Sequence, residues 1–493
     1  MDKTWFDSLV ELYTEGIKRR TLVYFDPDVD GLFAGYIGVD FLKKHGVSPA
    51  SYVNRNRVHG FDMRLLPKLK GYFVLAVDFA ITREEIELIV DNGTKILVLD
   101  HHSVKDELII SKRNGEICGL VINNQYEFEP EEDRYLSGAG VVYETLCMLD
   151  DTFKSKEKEA LVGVTLLSDG RELENAKAKR YLRSTYTVDP KSEYIQHLIQ
   201  GTLKTDYGFG CPRLDRNFID FTLSPVINSL LRFGLEDEAM SFVLGNKLKS
   251  SEVRRRQQEL LAYLQESCKL LDLDYIKIVV VCPSHYPELR KGGKFEDVEV
   301  TNFIGLLASR IKGNDKSVLA FVLDRGRVTR CSFRGRYSDL NYRLLFTMLG
   351  YDAEGHPPAF GIRNPEFSFE PGDSRWLEMD EAIKELEANH SNSIKVYETA
   401  NLAYFIDRLG SSLADNNIYV RDMYRKYIRY TGSNVKVLRE TEKSIRYLID
   451  GREVLCFDKS INTKNGLILP MLSRGYLSLY LVDGTGLIEI SNQ

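Results

Sequence analysis

The sequence predicts an α/β protein built on a parallel sheet, and three observations predict it. Apolar strand-like runs alternate with helix-like segments across residues 21–170. Three of those runs, at 22–25, 73–77 and 96–99, stop directly at acidic or histidine residues. A second strand-rich stretch opens at 276, behind a long charged helical segment at 250–271.

With 493 residues the chain is long enough for two to four domains. Its 43% hydrophobic and 28% charged content is an ordinary globular balance that can bury real cores. No run of about 18 uninterrupted apolar residues marks a membrane span. Met1-Asp2-Lys3-Thr4-Trp5 opens no signal-peptide-like apolar stretch. The expectation is a cytoplasmic protein with no membrane partner. The seven cysteines form no C-x-x-C pair, which argues against a zinc ribbon and for reduced thiols. A net charge of −6 argues against a broad surface that coats DNA non-specifically. It leaves room for a narrow basic groove around an acidic site.

The elements follow in order. Residues 83–92 read as a helix stopped by Gly93. Residues 206–248 look mostly helical. The segment 250–271 carries an apolar stripe of Val253, Leu260, Leu261, Leu264, Cys268 and Leu271. Arg254, Arg255 and Arg256 near its start read as a solvated face, with a phosphate-facing rung as the sharper alternative. Strands are expected from 276 to about 375, and helix again over 377–430. Short strands then follow at 435–438, 445–449, 453–457, 467–469 and 476–482, with Asp450-Gly451 as a hairpin signal. A small β-barrel or sheet is expected there. Its aromatics Tyr447, Phe457, Tyr476 and Tyr480 either fill a core or stack bases.

Four clusters carry chemistry. Asp26-Pro27-Asp28-Val29-Asp30-Gly31 places three carboxylates at alternate positions after a strand. On an extended segment alternate side chains point the same way, so at least two converge. Converging carboxylates repel unless a cation lies between them, and hard divalent ions suit oxygen ligands. Gly31 is expected to permit a tight turn into the next helix. Asp78 ends the second run, Asp100-His101-His102 follows the third, and Asp169 ends an apolar run at 162–168. Taken singly, these are an acidic turn, a helix cap or satisfied loop histidines. Four acidic strand ends in one α/β region predict two metals bridged by a carboxylate, with water between them.

That ordered set resembles the DHH phosphoesterase superfamily, and further segments resemble its RecJ-like members. Arg55 with His59-Gly60-Phe61, Val121-Ile122-Asn123-Asn124-Gln125 and Gly138-Ala139-Gly140-Val141 are three of them. Ser224-Pro225-Val226-Ile227-Asn228, running on to Arg232, is a fourth. Later come Gly305-Leu306-Leu307-Ala308-Ser309-Arg310, Ser332 with Arg334, and the Gly355-His356-Pro357-Pro358-Ala359-Phe360-Gly361 loop. The resemblance covers about residues 20–365. It departs from the family at Tyr24, where some members carry a metal-binding histidine, at Val226 and at Glu354.

The resemblance implies a parallel-sheet catalytic domain with a helical extension over 1–248 and a linker helix over 249–272. It implies a smaller α/β substrate-binding domain over 273–375 and a helical plus β-rich accessory region over 376–493. It implies two Mn2+ or Mg2+ ions on Asp26, Asp28, Asp30, Asp78, His101 and Asp169, with Asp78 as the bridge. His102 would contact the scissile phosphate or move a proton, and Asp100 would orient the histidines. Arg55, Asn228, Arg232, Ser309, Arg310, Ser332, Arg334 and His356 would hold the substrate. The implied activity is that of a 5′→3′ exonuclease releasing mononucleotides from single-stranded nucleic acid, DNA favoured over RNA, in DNA repair or recombination. Replication or repair proteins are the implied protein partners. Two alternatives stay open: a hydrolase of short oligonucleotides or cyclic dinucleotides, and a non-catalytic DHH scaffold in a replication or repair assembly.

Overall fold

The computed structural model describes residues 3–55, 60–102, 108–126, 130–169, 175–202, 214, 218–247, 250–312, 315–337, 340–363 and 373–388, and eight short strands between 395 and 481. The chain divides between Val253 and Arg254 into two compact units.

In the first unit, β1 (Arg20–Phe25), β2 (Ala50–Val53), β3 (Tyr72–Val77), β4 (Lys95–Asp100), β5 (Ile110–Arg113) and β6 (Glu116–Asn123) form one sheet. The order is β2-β1-β3-β4-β6-β5, parallel except for β5 against β6. Side-chain alternation splits each strand between two cores. Val23, Phe25, Phe73, Leu75, Val77, Leu97 and Leu99 face one core. Leu22, Tyr24, Val74, Ala76, Ile96 and Val98 face the other. Burial on both faces explains the continuous apolar runs. Each buried large apolar side chain stabilises the fold by roughly 1.5–3 kcal/mol.

Helices cover both faces: α1 (Lys3–Gly16), α2 (Val29–Lys44), α3 (Arg83–Asp91), α4 (Gly138–Leu149), α5 (Lys156–Ser168), α6 (Ala176–Thr187), α7 (Glu193–Thr202), α8 (Ser224–Arg232) and α9 (Glu236–Val243). Helix α3 starts in a Thr82/Glu85 capping box and places Ile86, Ile89 and Val90 against the Tyr24 face. Helices α2, α4 and α5 line the Phe25 face.

The run at 162–168 is not a strand. It belongs to helix α5, which Ser155 caps. This helix is buried almost all round over 160–167, so its apolar pattern has no helical period to betray it.

The sheet order fixes where a site can form. From β1 the chain first pairs β2 on one side, then crosses to β3 on the other. The carboxyl ends at such a switch point are where open α/β sheets bind ligands. Phe25 pairs with Val77, and Val77 with Leu99. The next residues, Asp26, Asp78 and Asp100, therefore leave adjacent strands at the same level.

The second unit starts within α10 (Ser250–Ser267), at Arg254. Helix was expected to 271, but it stops at Ser267. Residues Lys269–Asp272 become β7, whose backbone gains ladder partners on β8 (Ile276–Val281). With β9 (Ser317–Asp324), β10 (Arg327–Arg334), β11 (Ala353–His356) and β12 (Ala359–Ile362) they form a sheet of order β11-β12-β10-β9-β8-β7. Strands β8 and β9 are parallel, with α11 (Ile304–Lys312) between them in sequence. Helices α12 (Tyr342–Met348) and α13 (Ser374–Ala388) pack on its core, where Trp376 stacks on Phe321.

Helix does not continue to 430. Strands β13 (Lys395–Thr399) and β14 (Lys426–Tyr430) lie inside that range, and both are rich in aromatic and β-branched residues. Further on come β15 (Val435–Glu440), β16 (Ile445–Ile449), β17 (Arg452–Cys456), β18 (Leu467–Pro470), β19 (Leu477–Ser478) and β20 (Tyr480–Leu481). They join β13 and β14 in two four-stranded sheets, β13-β14-β18-β20 and β15-β16-β17-β19. Ile449 pairs with Arg452 as a tight hairpin requires, while Asp450 and Gly451 lie outside the described residues. The side chains of Tyr447, Phe457, Tyr476 and Tyr480 also lie outside them.

Candidate functional site

Three strand ends deliver the acids, but the first motif is not extended throughout. Strand β1 stops at Phe25, and Asp28 already caps α2, accepting from the Gly31 amide at 2.9 Å. Asp30 therefore lies in the first helical turn. Convergence comes from the strand-to-helix corner rather than from strand alternation. Gly31 is part of that helix and makes no turn of its own. Its missing Cβ is what matters, because Asp26 Cβ and O would lie 2.6 Å from one. Asp26, Asp28 and Asp78 then each offer an oxygen within 4.8 Å of the others.

The start of α4 completes this arrangement. Asp30 accepts from the Gly138 amide through Oδ2 (2.7 Å) and from the Ala139 amide through Oδ1 (2.9 Å). Both are donors that a helix start leaves unused, and the helix dipole favours an anion there. Burial nevertheless pushes the Asp30 carboxyl up to about 8, aided by Asp169 and Asp28. Asp78 is raised well above the ordinary range by burial first, then by Asp30, Asp28 and Asp26. Its backbone is left-handed, φ +66°, and its amide donates to Leu99 O at 2.8 Å. A non-glycine residue held there costs roughly 1–2 kcal/mol, so the surroundings impose the conformation. Gly138 is pressed against it, with Asp78 Oδ1 only 2.2 Å from where a Cβ would stand.

His101 joins these groups. Its Nε2 lies 3.1 Å from Asp78 and 3.8 Å from Asp30, and its Nδ1 4.0 Å from Asp169. Asp169 follows α5 and caps its C-terminus. It reaches the cluster from a helix end, although a strand end was expected. Two further donor groups result, Asp30/His101/Asp169 and Asp78/His101/His102.

His102 is half-exposed, and its Nδ1 donates to Asp100 Oδ1 at 2.7 Å. Burial alone would lower the imidazole, but that bond and the charges of Asp100, Asp26 and Asp28 carry it up to about 9. Asp100 is buried, which disfavours its charge, yet His102 and His101 hold it below the usual range. Asn123 Nδ2 donates to Asp100 Oδ2 (2.9 Å) and to His102 O (3.0 Å). Asp100 and Asn123 thus fix the His102 ring and its tautomer.

The backbone amides of Gly138 and Ala139 and the Asn123 amide were missed as site groups from the sequence. Ser137 ahead of a glycine-rich helix start, and Asn123 paired with Asp100 across the sheet, are the signals that mark them.

Tyr24 is buried, and its hydroxyl is committed. It donates to Asn54 Oδ1 and accepts from the Asp62 amide at 2.8 Å. Arg55 is exposed and ion-paired with Asp237, with Glu236 4.0 Å away. Asn228 and Arg232 are half-buried on α8.

In the second unit, Arg334 Nε donates to Ser309 Oγ (3.1 Å), and its Nη1 donates to Ser332 Oγ (2.9 Å) and Phe333 O (2.7 Å). Burial lowers this guanidinium below its ordinary value. Arg310 donates to Gln265 and Gln258. The His356 backbone pairs with Ala359, while its side chain lies outside the described residues. Glu354 pairs with Arg363. Arg255 pairs with Glu259 and Arg256 with Asp297, as a solvated face would.

The donor set fits hard divalent cations. Buried carboxylates whose mutual repulsion and desolvation oppose ionisation call for a cation among them, and one imidazole suits Mn2+ as well as Mg2+. Asp26, Asp28 and Asp78 would hold one ion and Asp30, His101 and Asp169 another.

A parallel α/β sheet with an acidic and imidazole cluster at its switch point is the architecture of a DHH domain. Residues 20–167 match the model of the DHH family, N-terminal domain, so the chain carries that domain. It is 26% identical over 252 residues to a Bacillus subtilis (strain 168) protein bearing the provisional name SPbeta prophage-derived single-strand DNA-specific exonuclease YorK. The counterpart in Bacillus phage SPbeta matches to the same extent. The matched stretch covers 49% of this chain and 41% of that relative, less than half of either. Among solved structures, RecJ from Thermus thermophilus in complex with Mn2+ aligns over 99% of this chain and 72% of its own. The TM-score is 0.65 at 17% identity. The Mg2+ complex of the same protein gives 0.57 at 17% identity, over 98% of this chain and 70% of its own. The fold is therefore that of RecJ. No described helix is long and apolar enough to cross a membrane.

Proposed function

We propose that this chain hydrolyses phosphodiester bonds in single-stranded nucleic acid with two divalent ions, as a 5′→3′ single-strand DNA exonuclease releasing mononucleotides. The observation that carries the reading is the cluster of buried Asp26, Asp30, Asp78 and His101 with half-buried Asp28 and Asp169, grouped in overlapping donor sets around Asp78 and His101. The relative named for single-strand DNA supports the substrate class.

Two Mn2+ or Mg2+ ions bound there would supply an activated water and neutralise phosphoryl oxygens. Asp78, shared by the groups Asp26/Asp28/Asp78 and Asp78/His101/His102, would be the bridging ligand. The α4 amides hold Asp30 in place by one hydrogen bond to each oxygen, and the remaining lone pairs of those oxygens are left for a cation. His102, held through Nδ1 by Asp100, keeps Nε2 for the scissile phosphate or for a proton on the leaving oxygen. Asp100 acts through His102. Arg310, Arg334, Ser309 and Ser332 take phosphates of the strand, with His356 beside them. Asn228 and Arg232 contact the strand further along. On this reading 1–248 is the catalytic part, 249–272 a linker helix, 273–375 the substrate-binding part and 376–493 an accessory region.

The test is Mn2+-dependent digestion of 5′- and 3′-labelled DNA and RNA, as dinucleotides and as strands of about forty nucleotides, long enough to fill a strand-tracking channel. Asp78→Ala runs alongside. The reading expects mononucleotides from long DNA, 5′ label first, and no product from the variant. Cleavage of dinucleotides alone would replace it with a short-oligonucleotide hydrolase. No cleavage with either metal would leave a non-catalytic scaffold.

A further inference from the structure

Two glutamines on the charged helix α10 hold Arg310 of the second unit. Arg310 Nε donates to Gln265 Oε1 at 2.8 Å, and its Nη1 donates to Gln258 Oε1 at 3.2 Å. Positions 258 and 265 are seven apart, two helical turns, so both amides stand on one face. Leu260, Leu261 and Leu264 turn to the core instead.

The chemical type of these acceptors is the point. Each glutamine is followed directly by a glutamate, Glu259 and Glu266. A carboxylate was thus one position away in each turn, yet the face toward Arg310 carries amides. Glu259 turns elsewhere, to Arg255 (2.7 Å) and Lys294 (3.0 Å). Other arginines of the protein, Arg55, Arg180, Arg256 and Arg375 among them, pair with carboxylates. Arg334, tied to Arg310 through the neighbouring Ser309, likewise has hydroxyl and carbonyl acceptors. A neutral acceptor fixes a guanidinium without cancelling its charge. A carboxylate fixes it and cancels most of that charge at contact distance.

We infer that Gln258 and Gln265 are positioning residues, which aim the Arg310 guanidinium while leaving its full charge for a phosphate of the strand. This rests on the proposed reading that Arg310 contacts substrate phosphate.

The test uses the full chain with a fluorescent single strand of about forty nucleotides in Ca2+, titrated over a range of salt. Each phosphate contact on a single strand contributes roughly 0.7 to the slope of log affinity against log salt. Q258E/Q265E is expected to weaken binding several-fold and flatten the slope by about 0.7, as Arg310→Ala does. In the Arg310→Ala background the glutamate pair should change nothing further. Q258M/Q265M removes the acceptors without adding charge, and should weaken binding while keeping the wild-type slope. E266Q, on the neighbouring face, serves as the charge control and should bind as wild type. Wild-type affinity and slope in Q258E/Q265E would overturn the inference. So would an equal loss from that pair whether or not Arg310 is present. A wild-type chain that binds no single strand would instead bring down the proposed function, and this inference with it.

Discussion

Gly138→Ala tests whether the start of α4 sets the position of Asp78. Gly138 is helical, so alanine is conformationally welcome there and gains up to about 1 kcal/mol of helix propensity. The difficulty is space. A Cβ would lie 2.2 Å from Asp78 Oδ1 and 2.5 Å from its Cγ, whereas ordinary contact begins near 3.4 Å. The carboxylate must therefore retreat by about 1 Å (3.4 − 2.2), or α4 must move and take the two amides off Asp30. Overpacking of this kind costs about 1–3 kcal/mol, partly offset by the propensity gain, so the protein stays folded. A displacement of about 1 Å at a reacting centre costs on the order of 10²-fold in rate. The assay is Mn2+-dependent nucleotide release together with the rise in Tm on adding Mn2+, which reads the site even without turnover. Gly140→Ala is the comparison, since its Cβ would meet the Leu136 side chain at 3.0 Å and no site residue. The expected outcome is a rate loss of about 10²-fold and a smaller Mn2+ shift for Gly138→Ala, with Gly140→Ala near wild type. A Gly138→Ala protein with the wild-type Mn2+ shift and a rate within about three-fold of wild type would refute the reasoning.

Other consequences follow from the same cluster. Asp78→Asn replaces a buried carboxyl, whose ionisation burial and the neighbouring acids oppose, by a neutral residue that tolerates φ +66°, so the metal-free protein should melt higher while its Mn2+ shift disappears; an unchanged Mn2+ shift would count against Asp78 as a ligand. Asp30 has a folded-state pKa raised by burial, Asp169 and Asp28 from 3.8 to about 8. The stability it contributes to the metal-free fold is complete below the ordinary carboxylate value and is lost as pH rises through about 8. A cation needs the deprotonated form, so the Mn2+-induced rise in Tm should be larger at pH 8 than at pH 6, and the reverse order would contradict the assignment. Tyr24→Phe takes the hydroxyl partner from Asn54 Oδ1 and from the Asp62 amide and should cost about 1–3 kcal/mol in denaturant unfolding, with the Mn2+ shift intact; a lost shift would make Tyr24 part of the metal site.

The sheet was legible because its strands are short, apolar and punctuated. Runs at 22–25, 73–77 and 96–99 became β1, β3 and β4, each one or two residues longer. A parallel strand buried on both faces carries no polar alternation, so its run is continuous and its end is abrupt. The same logic misled at 162–168. Helix α5 packs against α4 and α6 and has Gly163 beneath Tyr181 and Thr185, so it is apolar on every side over its second half. Periodicity cannot separate a fully buried helix from a buried strand, and the strand-like ending at Asp169 was in fact a helix C-cap. At 269–272 and 395–399 the error ran the other way, where segments of four and five residues, too short to show a period, were absorbed into neighbouring helices.

The site was legible as a set of side chains and not as a set of forces. Asp26, Asp28, Asp30, Asp78, His101 and Asp169 meet in space because β1, β3 and β4 end in register and α2 and α5 bring one terminus each to that level. Sequence order carries that much. It carries little of what holds the acids in place, because the holding is done by backbone and by absent atoms. The α4 amides that clamp Asp30 have no letter of their own, and the contribution of Gly31 and Gly138 is a missing Cβ beside Asp26 and Asp78. The left-handed backbone of Asp78 is equally invisible, since aspartate gives no sign of it in the sequence. These features share one physical consequence. Asp30 and Asp78 are buried, crowded by like charges and, in Asp78, strained, so without a cation the cluster stores unfavourable energy that the surrounding core must offset. A divalent ion relieves the charge repulsion without requiring the backbone to move, which is what a preorganised metal centre needs. The stability of the fold and the affinity of the centre are therefore opposed at Asp78, and substitutions that relax it should raise the first while lowering the second.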